Sequence, residues 1–201
     1  MDNQNHWQTV YTNKQSHEVS WTQAVPQTSL DFIAGFKTNR SARIIDIGGG
    51  DSCLVDYLLE AGFENVTVLD ISEAALEKAK ARLGERAAKV RWIASDILNF
   101  QPDETYDIWH DRATFHFLTT SEQIDKYIKT ASDATNQYLL MATFSESGPT
   151  KCSGLDIKQY SEKTLPRVLK NDFKKIRCLN ENHTTPFNTT QNFTFCTFKK
   201  K

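Results

Sequence analysis

Three aspartates close three successive apolar runs, and the glycines beside the first make the set a candidate binding site. Ile44-Ile45-Asp46-Ile47 leads straight into Gly48-Gly49-Gly50-Asp51-Ser52. A buried strand that opens into a glycine-rich turn before a helix makes a ligand crevice at the strand's carboxyl end. A dinucleotide site wants a third glycine at the spacing G-x-G-x-x-G, and Cys53 stands in that place. A phosphate loop wants Gly-Lys-Ser/Thr after the glycines, and none follows. Asp46 would repel a pyrophosphate but suits a cationic amine. Asp70 ends the next run, where its two oxygens can accept both hydrogen bonds of a ribose diol, with Ile71 beside the base. Ser95-Asp96-Ile97 closes the third, where a side-chain acceptor can meet an adenine amino group. The ligand so described has an amine, a ribose and an adenine but no phosphate.

S-adenosylmethionine has that composition. A second set of reactive side chains, His110-Asp111-Arg112, follows the fourth apolar run. His110 can contact the ligand or act as a base, or make a structural hydrogen bond. Asp111 can position or deprotonate an amine or thiol, and Arg112 can hold an anionic substrate. The same two residues can equally cap the next helix or pair structurally. His116, within Thr114-Phe115-His116-Phe117, reads as part of a wall. His6, Trp7, Tyr11 and Trp21 lie in an otherwise polar leader, and aromatic rings there need a surface to cover. Tyr11 and Trp21 can shield a sulfonium from water and attract it through their ring faces, or pack on the sheet edge. The loop from Gly148 to Gly154 follows the fifth strand and fits a substrate wall.

These residues need a scaffold that brings strand ends together. Strands are expected at 42–47, 65–70, 90–94, 106–110 and 138–144. Helical spacing separates them: Leu54, Val55, Leu58 and Leu59 in one segment, Leu76, Ala79 and Leu83 in the next, and Ile124, Tyr127, Ile128 and Ala131 later. Ser72 is placed to cap the second of these. Alternation of this kind predicts an α/β fold with a mostly parallel sheet and helices on both faces. Only Ile97–Thr105 separate the third and fourth strands, too few for a helical crossover, yet nine extended residues reach about 30 Å. After a loop to about residue 160, a helix at 161–169 precedes strands at 174–179 and 192–198. A loop containing Pro186 joins these last two, so they are expected to pair antiparallel.

With 201 residues the chain suits one domain, expected at 26–201 after a leader at 1–25. Its 24 basic and 25 acidic residues leave no excess for general nucleic-acid binding. The leader lacks a signal-peptide core and no run is long enough to span a bilayer, so a cytoplasmic location is expected. Cys53, Cys152, Cys178 and Cys196 form no CxxC and no Cys/His zinc pattern. They are expected as free, mostly buried thiols, and no metal is expected.

Asp46-Ile47-Gly48-Gly49-Gly50, Val68-Leu69-Asp70-Ile71-Ser72 and Ala94-Ser95-Asp96-Ile97 resemble the first three motifs of class I S-adenosylmethionine-dependent methyltransferases. The short link through Pro102 into Tyr106-Asp107-Ile108 is also typical of that family, and Ser52 departs from it where many members have a further glycine. The resemblance covers about 40–145. It implies a doubly wound, Rossmann-like, seven-stranded sheet of order 3-2-1-4-5-7-6 with the last strand antiparallel. It also implies a cofactor, S-adenosylmethionine, held by Asp46, Gly48, Gly49, Gly50, Asp70, Ile71, Ser95, Asp96 and Ile97, with Tyr11 and Trp21 on a leader that folds over it as a lid. Asp111-Arg112 is similar to the strand-four end of thiopurine and other thiol methyltransferases, and less closely to that of some protein-lysine methyltransferases. The expected acceptor is a small molecule methylated on nitrogen, sulfur or oxygen, since no large insertion offers a docking surface. A protein side chain is the alternative acceptor, and a non-catalytic S-adenosylmethionine-binding module the alternative role. A monomer or weak dimer is expected.

Overall fold

The computed structural model describes residues 3–201; the first two residues of the expected 1–25 leader lie outside these. The central sheet comprises β1 (Arg43–Ile47), β2 (Asn65–Asp70), β3 (Val90–Ala94), β4 (Tyr106–Arg112), β5 (Thr135–Phe144), β8 (Phe173–Thr184) and β9 (Thr190–Lys200). A separate two-stranded hairpin, β6 (Lys151–Cys152) with β7 (Leu155–Asp156), interrupts the count. The sheet order is β3-β2-β1-β4-β5-β9-β8. With the small hairpin left out of the numbering this is the expected 3-2-1-4-5-7-6. β1 to β5 pair parallel, and β9 runs antiparallel to both its neighbours.

The described residues form six α-helices: α1 (Asn3–Asn13), α2 (Gln27–Gly35), α3 (Leu54–Glu60), α4 (Glu73–Leu83), α5 (Ser121–Ala134) and α6 (Thr164–Leu169). Alternate strand residues feed two cores. Ile44, Val68 and Ile108 pack with Ile33 of α2, Leu54 of α3 and Leu76 of α4. Ile45, Leu69 and Trp109 pack with Tyr127 of α5 and Leu165 of α6. This double covering is why β1 and β2 read as unbroken apolar runs. Ile97 and Phe100 are buried in the second core, so the short β3–β4 link covers that face where a helix would otherwise lie. Ser72 caps α4 by accepting from the Ala75 amide at 3.2 Å.

Three segments depart from the sequence expectation. The polar leader contains α1, whose apolar residues are too few to announce a helix by periodicity. β5 starts at Thr135, directly after α5, because Asn136 and Gln137 extend the strand while facing water. β8 continues to Thr184, carried by ladder bonds to β9 although its outward residues are polar.

The free-thiol expectation is corrected for two cysteines. Cys178 and Cys196 lie opposite each other across β8 and β9 and form a disulfide, with Cα atoms 4.1 Å apart. Their wide spacing in sequence hid a pairing that only the hairpin register creates. Cys53 and Cys152 are free. Closing a loop of 18 residues removes roughly 3 kcal/mol of unfolded-chain freedom. Reduction under native conditions is therefore expected to lower the unfolding free energy by that order, read by circular dichroism as a fall in the denaturant midpoint. An unchanged midpoint would show that the β8–β9 ladder alone holds this edge.

Candidate active site

The glycine turn caps the carboxyl end of β1. The Gly48 and Gly49 amides both donate to the Leu69 carbonyl, at 2.7 and 3.2 Å, which ties the turn to β2. Gly48 has φ +65°, and a Cβ there would lie 1.8 Å from Thr114 Oγ1. Gly50 has φ +47°, and a Cβ there would lie 2.9 Å from Asp70 Oδ2 and 3.1 Å from the Tyr11 hydroxyl. Both positions therefore demand glycine for conformation and for space. The turn brings bare backbone against a buried carboxylate, as close ligand approach requires.

Asp46 and His110 are register partners on β1 and β4. His110 Nδ1 lies 2.6 Å from Asp46 Oδ1, and His110 Nε2 lies 2.8 Å from Ser29 Oγ on α2. All three residues are buried. A carboxylate oxygen accepts, so His110 Nδ1–H donates to Asp46, while Nε2 is engaged with the Ser29 hydroxyl. Both imidazole nitrogens are thus engaged, and His110 holds Asp46 rather than standing as a free base. Asp70 is buried and accepts from the Ser72 amide at 2.8 Å. Burial pushes its carboxyl up to about 7, and nearby Asp46 adds to the shift, while backbone donors oppose it. Asp96 accepts from the Leu98 amide at 2.8 Å.

A cavity of about 160 Å³ opens over these strand ends. Of the residues expected to bind or react, Asp46, Gly48, Gly49, Asp70, Ile71, Ser95, Asp96, Ile97, His110, Arg112, Tyr11 and Trp21 line it. Gly50 sits just behind, against Asp70 and Tyr11.

The leader crosses this cavity. Gln8 Oε1 of α1 accepts from Ser72 Oγ at 3.1 Å and from the Ala74 amide at 3.2 Å, at the start of α4. At the other side His6 Nε2 pairs with Ser153 Oγ at 3.2 Å, beside the small hairpin. Trp21 Nε1 donates to the Tyr11 hydroxyl at 3.1 Å, and Trp7 stands edge-on to Phe117. Asp51, next to the glycines, pairs with Ser16 of the leader and with Arg82 of α4. Arg82 also binds Asp56 at 2.8 Å. Sequence reasoning missed Ser29, Gln8 and Arg82, and gave Thr114 no role of its own. Only the fold brings these residues here.

The end of β4 divides the proposed reactive residues between two faces. Alternation sends His110 and Arg112 into the cavity and Asp111 the opposite way. Asp111 accepts from the Tyr127 hydroxyl at 2.5 Å, the Thr114 amide at 2.9 Å and the Phe115 amide at 3.2 Å. It is fully buried and absent from the cavity wall. In this arrangement Asp111 fixes the turn after β4, with Tyr127 as its anchor, and has no place on the cavity wall. Its burial pushes the carboxyl up to about 6, against the pull of those donors. His116 is buried, accepts from the Phe144 amide at 3.2 Å, and is lowered to about 3 by burial and by Arg112. It is a neutral element behind the wall. Cys152 lines the cavity, and burial pushes its thiol up to about 12, so no thiolate stands there at neutral pH.

The sheet order, the glycine turn and the three strand-end carboxylates define a class I methyltransferase fold. The family described as methyltransferase domain matches residues 44–137, as the resemblance of the strand ends implied. The chain is 34% identical over 104 residues to malonyl-[acyl-carrier protein] O-methyltransferase of Anoxybacillus flavithermus, a match covering 51% of this chain and 39% of the relative. It is 28% identical over 82 residues to the mouse eEF1A lysine and N-terminal methyltransferase, covering 40% and 12%. The chain thus spans about two-fifths or less of the length of these curated relatives. A solved S-adenosylmethionine-dependent methyltransferase from Anabaena variabilis superposes with a TM-score of 0.76 over 100% of this chain and 96% of its own, at 15% identity.

Asp111→Asn should lower the thermal midpoint, at a cost of about 1–3 kcal/mol from a buried donor left without its acceptor. Catalytic turnover lost in a variant that melts at the parental temperature would return Asp111 to chemistry.

Proposed function

We propose that the protein is an S-adenosylmethionine-dependent methyltransferase acting on a small molecule. The observation that carries the reading is the row of carboxylates along one cavity: Asp46 beside the glycine turn, Asp70 beyond it and Asp96 at the far end. Asp46, steadied by His110, receives the ammonium. The Gly48 turn lets backbone approach the methionine portion. Asp70 accepts the ribose hydroxyls, and Ile71, Ser95, Asp96 and Ile97 surround the adenine. The cofactor supplies an electrophilic methyl on a sulfonium, which an acceptor lone pair takes while the C–S bonding pair returns to sulfur. In-line placement and exclusion of water supply most of the rate effect in such a transfer. Tyr11 and Trp21, on the leader that spans the cavity, exclude water and offer ring faces to the positive sulfur. A small acceptor is favoured because α1, Cys152 of the β6–β7 hairpin and Phe117 line the same cavity as Arg112.

Calorimetric titration should show binding of S-adenosylmethionine and none of NAD. Asp70→Asn should weaken it by about 1.5–3 kcal/mol, the range for hydrogen bonds to a charged group. The pH dependence has a definite sign. Ionised Asp70 is the better acceptor, so parental affinity should rise as pH increases through about 7, and the Asp70→Asn profile should be flatter. Stability moves the other way. A buried carboxyl with a raised folded-state value favours folding while protonated, so the unliganded parent loses stability as pH rises from about 4 to about 7. Equal affinity in parent and variant would remove Asp70 from the ribose role.

Deleting residues 1–25 should weaken cofactor binding by about 2 kcal/mol, the order of a desolvated cation–π contact. Undiminished affinity in a truncated protein that still folds would leave the leader a packing element only.

A further inference from the structure

Arg112 projects from β4 into the cavity wall in an unusual state. Its Nη1 donates to the Trp21 carbonyl at 3.0 Å, and the guanidinium lies 4.7 Å over the Phe193 ring. Its Nε and Nη2 are buried and have no hydrogen-bond partner among the described residues. Among these residues no carboxylate comes within 4.0 Å of it. Nε–H and the outer Nη2–H are the two parallel donors on one edge of the guanidinium, the edge that grips a carboxylate with paired hydrogen bonds. A buried charge without a partner costs several kcal/mol, so an arrangement that leaves this edge unpaired calls for an anion to meet it. The neighbours shape what that anion is attached to. Trp7, Trp21 and Phe117 give the cavity an aromatic lining beside Arg112. The groups near it are poor bases: His110 has both nitrogens engaged, and Cys152 is a neutral thiol. A molecule already ionised at neutral pH suits such a site.

We propose that the methyl acceptor is an apolar or aromatic carboxylic acid whose carboxylate is held by the Nε/Nη2 edge of Arg112. This rests on the methyltransferase reading above. Two other carboxylates compete for the same edge. One is the methionine carboxylate of the cofactor. The other is Glu181 on β8, opposite Phe193 of β9, whose Oε2 is buried and also lacks a partner among the described residues, and whose charge acts on Arg112.

The test uses the full chain saturated with S-adenosylhomocysteine, followed through the fluorescence of its tryptophans. It is titrated with 3-phenylpropionate and hexanoate, and in parallel with their primary amides. The acids should bind at least about tenfold more tightly than the amides, the ratio expected when a paired charged hydrogen bond is lost. Arg112→Met should erase that preference, Arg112→Lys should keep part of it, and Glu181→Gln should preserve it or sharpen it. Circular dichroism checks that each variant folds, and Arg112→Lys keeps the comparison open if Arg112→Met does not. Equal binding of acids and amides by the parent overturns the proposal while leaving cofactor binding intact. A large loss of S-adenosylhomocysteine affinity in Arg112→Lys overturns it in favour of the cofactor's own carboxylate. Acid preference that appears only in Glu181→Gln assigns the edge to Glu181. A parent that binds no S-adenosylhomocysteine overturns both readings.

Discussion

The site depends on keeping one carboxylate buried at the end of the first strand. Asp46 lies under the glycine turn, where desolvation of an unpaired anion would cost several kcal/mol. His110 compensates it from the neighbouring strand, and Ser29 compensates His110 from α2. This chain of three groups crosses the point where the sheet order reverses, between β1 and β4, and it pins α2 to both strands. Strand register, helix position and turn conformation are therefore coupled. A shift of β4 by one residue would bring Asp111 opposite Asp46 and set two buried acids together, which no arrangement of the turn could offset.

That coupling explains how one strand end serves two cores. The residues of β4 alternate, so its polar groups at 110 and 112 face the cavity while 111 faces α5. Asp111 then does for the second core what His110 does for the first. It gathers donors that would otherwise be unsatisfied, the amides of Thr114 and Phe115 and the hydroxyl of Tyr127. Thr114, held in this way, places its hydroxyl against the Gly48 backbone and donates to the Ile47 carbonyl at 3.2 Å. The shape of the glycine turn is thus set from below by Asp46 and from the side by the turn that Asp111 organises.

The sheet and most of its boundaries were legible because both faces are covered, and buried parallel strands leave apolar runs that end sharply. The strand-end acids were legible for the same reason: each stands where an apolar run stops. What alternation does to Asp111 was legible in principle, since neighbouring residues on a strand face opposite ways. Its proximity to His110 in sequence masked that opposition. Ser29 and Arg82 were not legible, because each acts across the chain on a partner that only the packing of α2 or α4 selects. The Cys178–Cys196 pairing was hidden in the register of a hairpin whose edge strand is too polar to show its own length.

The leader makes the remaining physical point. Gln8 accepts from the Ser72 hydroxyl and the Ala74 amide at the start of α4, and His6 meets the hairpin loop, so α1 bridges the two rims of the cavity by a few polar contacts. Its aromatic residues pack on one another and on Phe117 rather than deep in either core. A segment held this way rests on fewer buried contacts than the sheet beneath it. The floor and the cover of the cavity are therefore built from different interactions. Buried polar groups hold the carboxylates at the strand ends, while the leader's rings and part-buried hydrogen bonds lie above them.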